Sequence, residues 1–282
     1  MLQKPPWLRV RHTHDPNLDV VEELLRARNL NTVCREANCP NYVECFSKKT
    51  ATFMILGTNC TRNCQFCNVT FDAPQPIDPD EPQRVAEAVA ALGLQYVVIT
   101  SVTRDDLPDG GAGQFAAVIR ALRKEASQTA VEVLIPDFQG NIEALWQVTD
   151  AKPDVISHNM ETVAALYDAV RPQADYRQSL DVLKNIKASD PAIRSKTGIM
   201  LGLGETEAQV LALFDDLRAV GCEFLTIGQY LAPTRTHYPV QSYITPEQFD
   251  RYGDIARAKG FAFVASAPLV RSSYHAGEAL GR

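Results

Sequence analysis

Seven cysteines carry most of the chemical information in this 282-residue chain, and six of them fall between Cys34 and Cys67. Cys60, Cys64 and Cys67 form a CxxxCxxC segment. Three thiolates on so short a loop can hold three irons of a [4Fe–4S] cluster, because thiolate is the usual ligand of such clusters. The fourth iron is then open to a small molecule. A structural zinc loop is the competing reading, but zinc commonly takes four protein ligands, often as two CxxC-type pairs. Cys34, Cys39 and Cys45 form a second triplet, CxxxxCxxxxxC, whose spacing taken alone also suits a zinc site completed by a distant ligand. Cys222 stands apart, between a helical pattern and an apolar run, and reads as a buried small hydrophobe.

Context decides against disulfides. Such clustering would suggest them in a small secreted domain. This chain is long, its start (Met1-Leu2-Gln3-Lys4-Pro5-Pro6-Trp7) has no apolar leader, and no apolar run is long enough to span a membrane. A soluble, cytoplasmic protein with no membrane partner is expected. With 28 basic against 34 acidic residues the net charge is −6, which argues against nucleic acid as the main partner.

The elements that must position the cysteines follow from the apolar pattern. FMILG at 53–57, YVVITSV at 96–102, VEVLIPD at 131–137, DVISHN at 154–159, KTGIMLGL at 196–203 and FLTIGQYL at 224–231 are continuous apolar runs, as strands buried on both faces should be. Helix-period segments lie between them: Val85, Val89 and Leu92; Phe115, Val118, Ile119 and Leu122; Leu180, Leu183 and Ile186; Val210, Leu213, Phe214 and Leu217. Strand then helix, repeated, predicts a parallel sheet with right-handed crossovers. The expected fold is α/β, an incomplete (β/α)6 TIM-like barrel with N-terminal and C-terminal extensions. FAFVASAP at 261–268 is a seventh strand or an extended closing segment. One domain is expected, in three stretches: an N-terminal extension over residues 1–51, the partial barrel over 52–260 and a C-terminal segment over 261–282. Leu18, Val21, Leu24 and Leu25 mark a helix in the first stretch, with Asn29 a plausible stop, and the proline-rich patch 74–82 reads as a loop. Active residues of barrel folds gather at the C-terminal ends of strands, and the CxxxCxxC loop directly follows FMILG.

That loop, with Phe66 before its last cysteine, resembles the signature loop of the radical S-adenosylmethionine superfamily. With the second triplet beside it, the chain resembles the lipoyl synthase family within that superfamily. The match extends from Lys4-Pro5-Pro6-Trp7 to Arg271-Ser272-Ser273-Tyr274. It includes Glu36-Ala37-Asn38-Cys39-Pro40-Asn41, Arg104-Asp105-Asp106-Leu107-Pro108-Asp109-Gly110-Gly111, His158-Asn159-Met160-Glu161-Thr162 and Gly202-Leu203-Gly204-Glu205-Thr206. The departures are small: Ser157 before the HNMET segment and Ala232 after QYL.

The resemblance implies two [4Fe–4S] clusters and S-adenosylmethionine as cofactors. Cys60, Cys64 and Cys67 would hold the cluster that generates a 5′-deoxyadenosyl radical. Cys34, Cys39, Cys45 and Ser273 would hold an auxiliary cluster that donates sulfur, the serine oxygen being a weaker iron ligand than thiolate. The implied catalytic residues are therefore Cys60, Cys64, Cys67 and Ser273. The implied reaction inserts sulfur at C6 and C8 of a protein-bound N6-octanoyl-lysine to give N6-lipoyl-lysine. Its partners would be octanoylated lipoyl-domain proteins (2-oxoacid dehydrogenase E2 subunits and the glycine cleavage H protein) and a reducing electron donor. Asn159, Glu161 and Arg171 are implied cofactor contacts, although Glu161 could instead cap a helix starting at Met160. Gly198–Glu205 resembles the adenine-contacting strand. Arg104, Asp105 and Asp106 could orient the cofactor or simply be exposed loop charges. Arg177 could bind substrate, and His158, His237 and His275 are expected to hydrogen-bond. Rival readings are another radical sulfur-inserting enzyme, such as a methylthiotransferase, and a zinc-stabilised binding module.

Overall fold

The computed structural model describes residues 3–10, 15–47, 52–274 and 276–281. The chain divides into two compact units, one of Val10–Arg62, Asn68–Ile156 and His275–Arg282, the other of Met1–Arg9, Asn63–Cys67 and Ser157–Tyr274.

The first unit opens with α1 (Pro16–Ala27), where Asp15 accepts from the Asn17 N–H and Pro16 occupies the first turn. The helix is over by Asn29, which turns at φ 48°. Strand β1 (Asn31–Thr32) pairs antiparallel with β2 (Thr52–Ile55), and the intervening chain forms α2 (Val33–Glu36) and α3 (Tyr42–Ser47). Next come β3 (Asn59–Cys60), β4 (Thr70–Phe71), α4 (Glu81–Leu92), β5 (Tyr96–Ser101), α5 (Ala112–Glu125), β6 (Ala130–Leu134) and α6 (Ile142–Asp150). β2, β5 and β6 run parallel in tight register, Ile55 beside Ser101 and Thr100 beside Leu134. Their interiors are buried, which explains the unbroken apolar runs. The register brings the loops after all three strands out at one edge of the unit's sheet.

Strand β7 (Val155–Ser157) lies where the chain passes from one unit to the other. The second unit then builds α7 (Tyr167–Val170), α8 (Tyr176–Ser189), β8 (Arg194–Leu201), α9 (Glu207–Ala219), β9 (Phe224–Gln229), α10 (Pro246–Ala258) and β10 (Phe263–Ser266). β8, β9 and β10 are again parallel, so the 261–268 run does contain a seventh parallel strand beside the six expected. Among the described residues β10 pairs only with β9 and β1 only with β2. After β10 the chain returns to β9: the Gln229 N–H donates to Pro268 O at 3.1 Å. Gly228 is required there, because a Cβ would come within 2.0 Å of Val270 O.

Some expectations shift. The proline-rich segment ends earlier than residue 82, since α4 begins at Glu81 with Pro82 in its first turn, where no N–H is needed. The short helices α2, α3 and α7 and the longer α6 and α10 lie outside the helical patterns read from the sequence. No helix starts at Met160. Among the described residues no helix is long and apolar enough to cross a membrane.

Candidate active site

The exit from β2 is tightly held. Leu56 and Gly57 both turn left-handed, at φ 69° and 92°. The Leu56 N–H donates to Glu81 Oε2 at 3.0 Å, and Arg104 donates to Leu56 O at 3.3 Å. A side chain at Gly57 would collide with Gln75 Oε1, 2.4 Å from its Cβ. Glu81 is buried and also accepts from Gln114 Nε2 at 3.0 Å. Burial pushes its carboxyl above the ordinary carboxylate range. Beyond this turn β3 brings Cys60 into a short parallel pair with β4, Cys60 beside Phe71.

Cys60 Sγ accepts two backbone N–H groups, from Thr103 at 3.3 Å and Arg62 at 3.5 Å. The Thr61 N–H and hydroxyl both donate to Thr103 O, and the Asp105 N–H donates to Thr61 Oγ1, so residues 60–62 are laced to 103–105. Arg62 completes the lacing. Its Nε and Nη2 donate to Asp105 at 2.6 and 2.9 Å, and its Nη1 and Nη2 donate to Asp137 at 2.8 and 2.7 Å. Burial opposes the guanidinium charge, but the bonds and charges of Asp137 and Asp105 together outweigh it and hold Arg62 above its already high range. Arg104 forks onto Asp106 at 2.9 and 2.8 Å, so this run of loop charges is occupied with loop architecture.

The other half of the cysteine loop belongs to the second unit. The Asn63 N–H donates to Gln173 Oε1 at 2.6 Å, and the Gln65 N–H to Val170 O at 2.9 Å. Gln65 O accepts from the Tyr238 N–H at 2.8 Å. Phe66 packs against the buried cluster of Val170, Leu203 and Tyr230. His237 Nε2 lies 3.0 Å from Cys67 O, which can only accept. That nitrogen therefore carries the proton, and Nδ1 faces the Thr234 hydroxyl at 2.8 Å. His237 is thus the hydrogen-bonding residue expected of it. His158 is buried, Arg177 is exposed, and His275 lies outside the described residues.

Asn159, Glu161 and Arg171 form one group. Asn159 Nδ2 donates to Glu161 Oε1 at 3.0 Å. Arg171 Nη1 donates to Asn159 O, Met160 O and the Tyr167 hydroxyl at 2.9, 3.3 and 3.0 Å, and its guanidinium stacks on the Tyr167 ring. Glu161, at φ 64°, bridges to Ile199 at the side of β8 and caps no helix. Enclosure pushes its carboxyl up, opposed by the Arg171 charge and the Asn159 amide. Asn159 Oδ1 is buried and accepts nothing from the protein, which fits a polar ligand group such as the amine of S-adenosylmethionine. Gly198 makes room for it, because a Cβ there would sit 2.9 Å from both Asn159 Oδ1 and Thr226 Oγ1. Further along, Glu205 accepts from the Gly202 and Leu203 N–H groups at 2.6 and 2.9 Å, and Gly202 packs against the buried Gln229.

In the first unit Cys34 is buried within α2, Cys39 follows the left-handed Asn38, and Cys45 lies on α3. Burial pushes the Cys34 thiol up to about 11. Asn68 Nδ2 donates to Glu36 O at 2.8 Å. Ser273 belongs to the second unit, half-buried in a turn closed by the Tyr274 N–H on Arg271 O at 3.0 Å. None of the seven cysteines is in a disulfide, and Cys222 is fully buried, as read. Among the described residues no three His, Cys, Asp or Glu side chains converge as ready metal ligands. The fit to a cluster rests on donor chemistry: three thiols in one loop, with one sulfur already receiving two N–H groups as a thiolate would.

Comparison with known proteins defines the class and then the family. The Radical SAM superfamily profile matches residues 54–217. Among solved structures, HydG, a maturase of the [FeFe]-hydrogenase, has a TM-score of 0.58 at 13% identity, over 95% of this chain and 68% of that one. Methylornithine synthase has a TM-score of 0.51 at 13% identity, over 93% and 85%. Both likenesses are of fold. The Lipoyl synthase of Alkaliphilus metalliredigens is 60% identical over 99% of this chain and 96% of its own length. That of Caldanaerobacter subterraneus subsp. tengcongensis is 58% identical over 98% and 96%. The chain therefore belongs to the lipoyl synthase family of the radical SAM superfamily.

Arg62, Asp137, Glu81 and Gln229 had no part in the sequence reading of the site, and Asp105 entered it only as a charge that could orient the cofactor. Arg62 had the strongest available signal, an arginine inside the cysteine motif itself.

Proposed function

We propose that this enzyme inserts sulfur at C6 and C8 of an octanoyl group carried on a lysine of a lipoyl-domain protein, consuming one S-adenosylmethionine for each insertion. The observation that carries the reading is the presence of two cysteine triplets, all six thiols outside disulfides, in one radical SAM chain. In this reading Cys60, Cys64 and Cys67 hold three irons of the radical cluster, and Cys34, Cys39, Cys45 and Ser273 hold the sulfur-donating one. When bound, cluster and cofactor supply a 5′-deoxyadenosyl radical able to take hydrogen from an unactivated C–H bond, which no side chain can do.

The chain's own residues position these groups. Asn159 offers a buried carbonyl oxygen to the cofactor's amine, and Glu161 adds a carboxylate beside it. Arg171 fixes the 159–161 turn through the backbone carbonyls of Asn159 and Met160, and the Asn159 Nδ2 bond to Glu161 Oε1 sets the amide so that Oδ1 is the atom left for a ligand. E2 subunits of 2-oxoacid dehydrogenases and the glycine cleavage H protein are the partners this chemistry requires, with a low-potential electron donor.

The test is an anaerobic reaction of the iron- and sulfide-loaded protein with an octanoylated lipoyl domain, dithionite and S-adenosylmethionine, followed by intact mass. A mass gain of two sulfurs, less two hydrogens where the dithiol has closed to the cyclic disulfide, supports the reading. Cofactor cleavage with an unchanged octanoyl mass would overturn it.

A further inference from the structure

The Arg62 clamp is built at greater structural cost than a loop anchor needs. One guanidinium is buried between two carboxylates and engages each through two nitrogens. Forked pairs of this kind fix orientation as well as distance. Asp137 is presented by an unusual turn: Phe138, Gln139 and Gly140 are all left-handed, at φ 49°, 53° and 77°. Two of these three carry side chains that disfavour that conformation. Asp137 Oδ1 accepts from the Gln139 N–H at 3.0 Å, and its backbone O accepts from the Gly140 N–H at 2.9 Å, so the turn closes on the aspartate itself. Phe138, buried against Phe115, holds the turn in place.

The clamp ends on sulfur. Of the two N–H groups donated to Cys60 Sγ, one belongs to Arg62 and the other to Thr103, two residues before Asp105. Fixing Arg62 to Asp105 fixes both donors together. Hydrogen bonds to ligating sulfur spread its negative charge, favour the more reduced cluster and raise the reduction potential.

Resting on the reading that Cys60 is a cluster ligand, we propose that Arg62 is a positioning residue that sets the reduction potential of that cluster, by holding the Arg62 and Thr103 N–H groups on Cys60 Sγ through Asp105 and Asp137. Lysine at 62 keeps the charge but cannot fork onto both carboxylates. Asn at 137 keeps the shape and an acceptor for Gln139 but weakens the pair.

The test takes Arg62→Lys and Asp137→Asn in the full chain. In the loaded protein, the electron-paramagnetic signal that changes on adding S-adenosylmethionine identifies the cluster, and redox titration gives its potential. Both variants should lower the reduced-to-oxidised ratio at fixed solution potential, Arg62→Lys by about tenfold, or ~59 mV for one electron. In the metal-free protein, amide exchange of peptides spanning 59–62 and 102–105 should quicken in both variants. Faster exchange with an unchanged potential overturns the proposal and leaves a merely structural clamp. Wild-type exchange and potential in both variants overturn it as well. If a variant takes up no cluster, its unchanged exchange overturns the proposal and quickened exchange supports the positioning, with Asp137→Asn deciding the potential. A wild-type chain that holds no SAM-responsive cluster refutes instead the functional reading on which the proposal rests.

Discussion

Asn68 donates its side-chain amide to the backbone carbonyl of Glu36 at 2.8 Å, joining the residue that follows Cys67 in the chain to the helix that carries Cys34. The bond is polar, half-buried and long-range, made across 32 residues. Asn68→Ala should cost about 0.5–1.5 kcal/mol, as expected for one neutral hydrogen bond. Asn68→Asp should cost more, because a carboxylate would face a carbonyl oxygen. Urea unfolding of the metal-free chain measures both, and a stability for Asn68→Asp equal to that of wild type would show the bond to be idle.

Gly198 is expected to be intolerant for a ligand-binding reason. Gly198→Ala puts a methyl 2.9 Å from Asn159 Oδ1 and Thr226 Oγ1, so Asn159 has to swing away. Overpacking of this kind costs about 1–3 kcal/mol. Calorimetric titration with S-adenosylmethionine should find affinity about tenfold weaker or worse, a loss near 1.4 kcal/mol. An unchanged affinity would remove Asn159 from the cofactor site.

Glu81 should make stability depend on pH. Its folded carboxyl is raised by burial, so its contribution is fully present below the unfolded value and is lost as pH rises through the folded one. Glu81→Gln keeps an oxygen for the Leu56 N–H and has no charge to bury. Denaturant unfolding at several pH values should show the variant gaining on wild type from acid toward neutrality. Parallel curves would mean that the two hydrogen bonds to the ionised carboxylate offset its burial.

Ser273→Cys tests the proposed labile ligand. Thiolate suits iron better than a serine oxygen, so the auxiliary cluster should assemble and S-adenosylmethionine should still be cleaved. Sulfur insertion should slow by at least about tenfold, equivalent to roughly 1.4 kcal/mol in the barrier. Single-turnover measurement of 5′-deoxyadenosine and lipoyl product together separates the two effects. Lipoyl product formed at the wild-type rate would mean that the serine serves another purpose.

The strands were legible because burial on both faces writes an unbroken apolar run, as at Phe53–Ile55 and Val97–Thr100. The cysteine triplets were legible because close spacing along the chain is a local property. Helix α10 left a signal that went unread, a Thr245 cap whose hydroxyl accepts from the Gln248 N–H, followed by Pro246. Arg62 was a different matter. Its partners lie 43 and 75 residues away, and neither charge pattern nor periodicity links positions so distant. At Phe138 and Gln139 the sequence signals a turn through Pro136 and Asp137 but hides its left-handed form, which the packing of Phe138 and the bonds to Asp137 impose on two residues that disfavour it.

The burial of Cys34 has a consequence for how the unloaded chain survives. Oxidants and stray thiophilic metals attack the thiolate of an accessible cysteine. Cys34 is 7% exposed and keeps its proton at neutral pH, so in the metal-free chain it is shielded from both. The half-buried Cys39 and Cys45 lack that shelter. Iodoacetamide labelling of the unloaded chain, mapped by mass, should find Cys34 the slowest to react of the six clustered cysteines. On the proposal that Cys34 is a cluster ligand, assembly has to draw it out of its cover and take its proton.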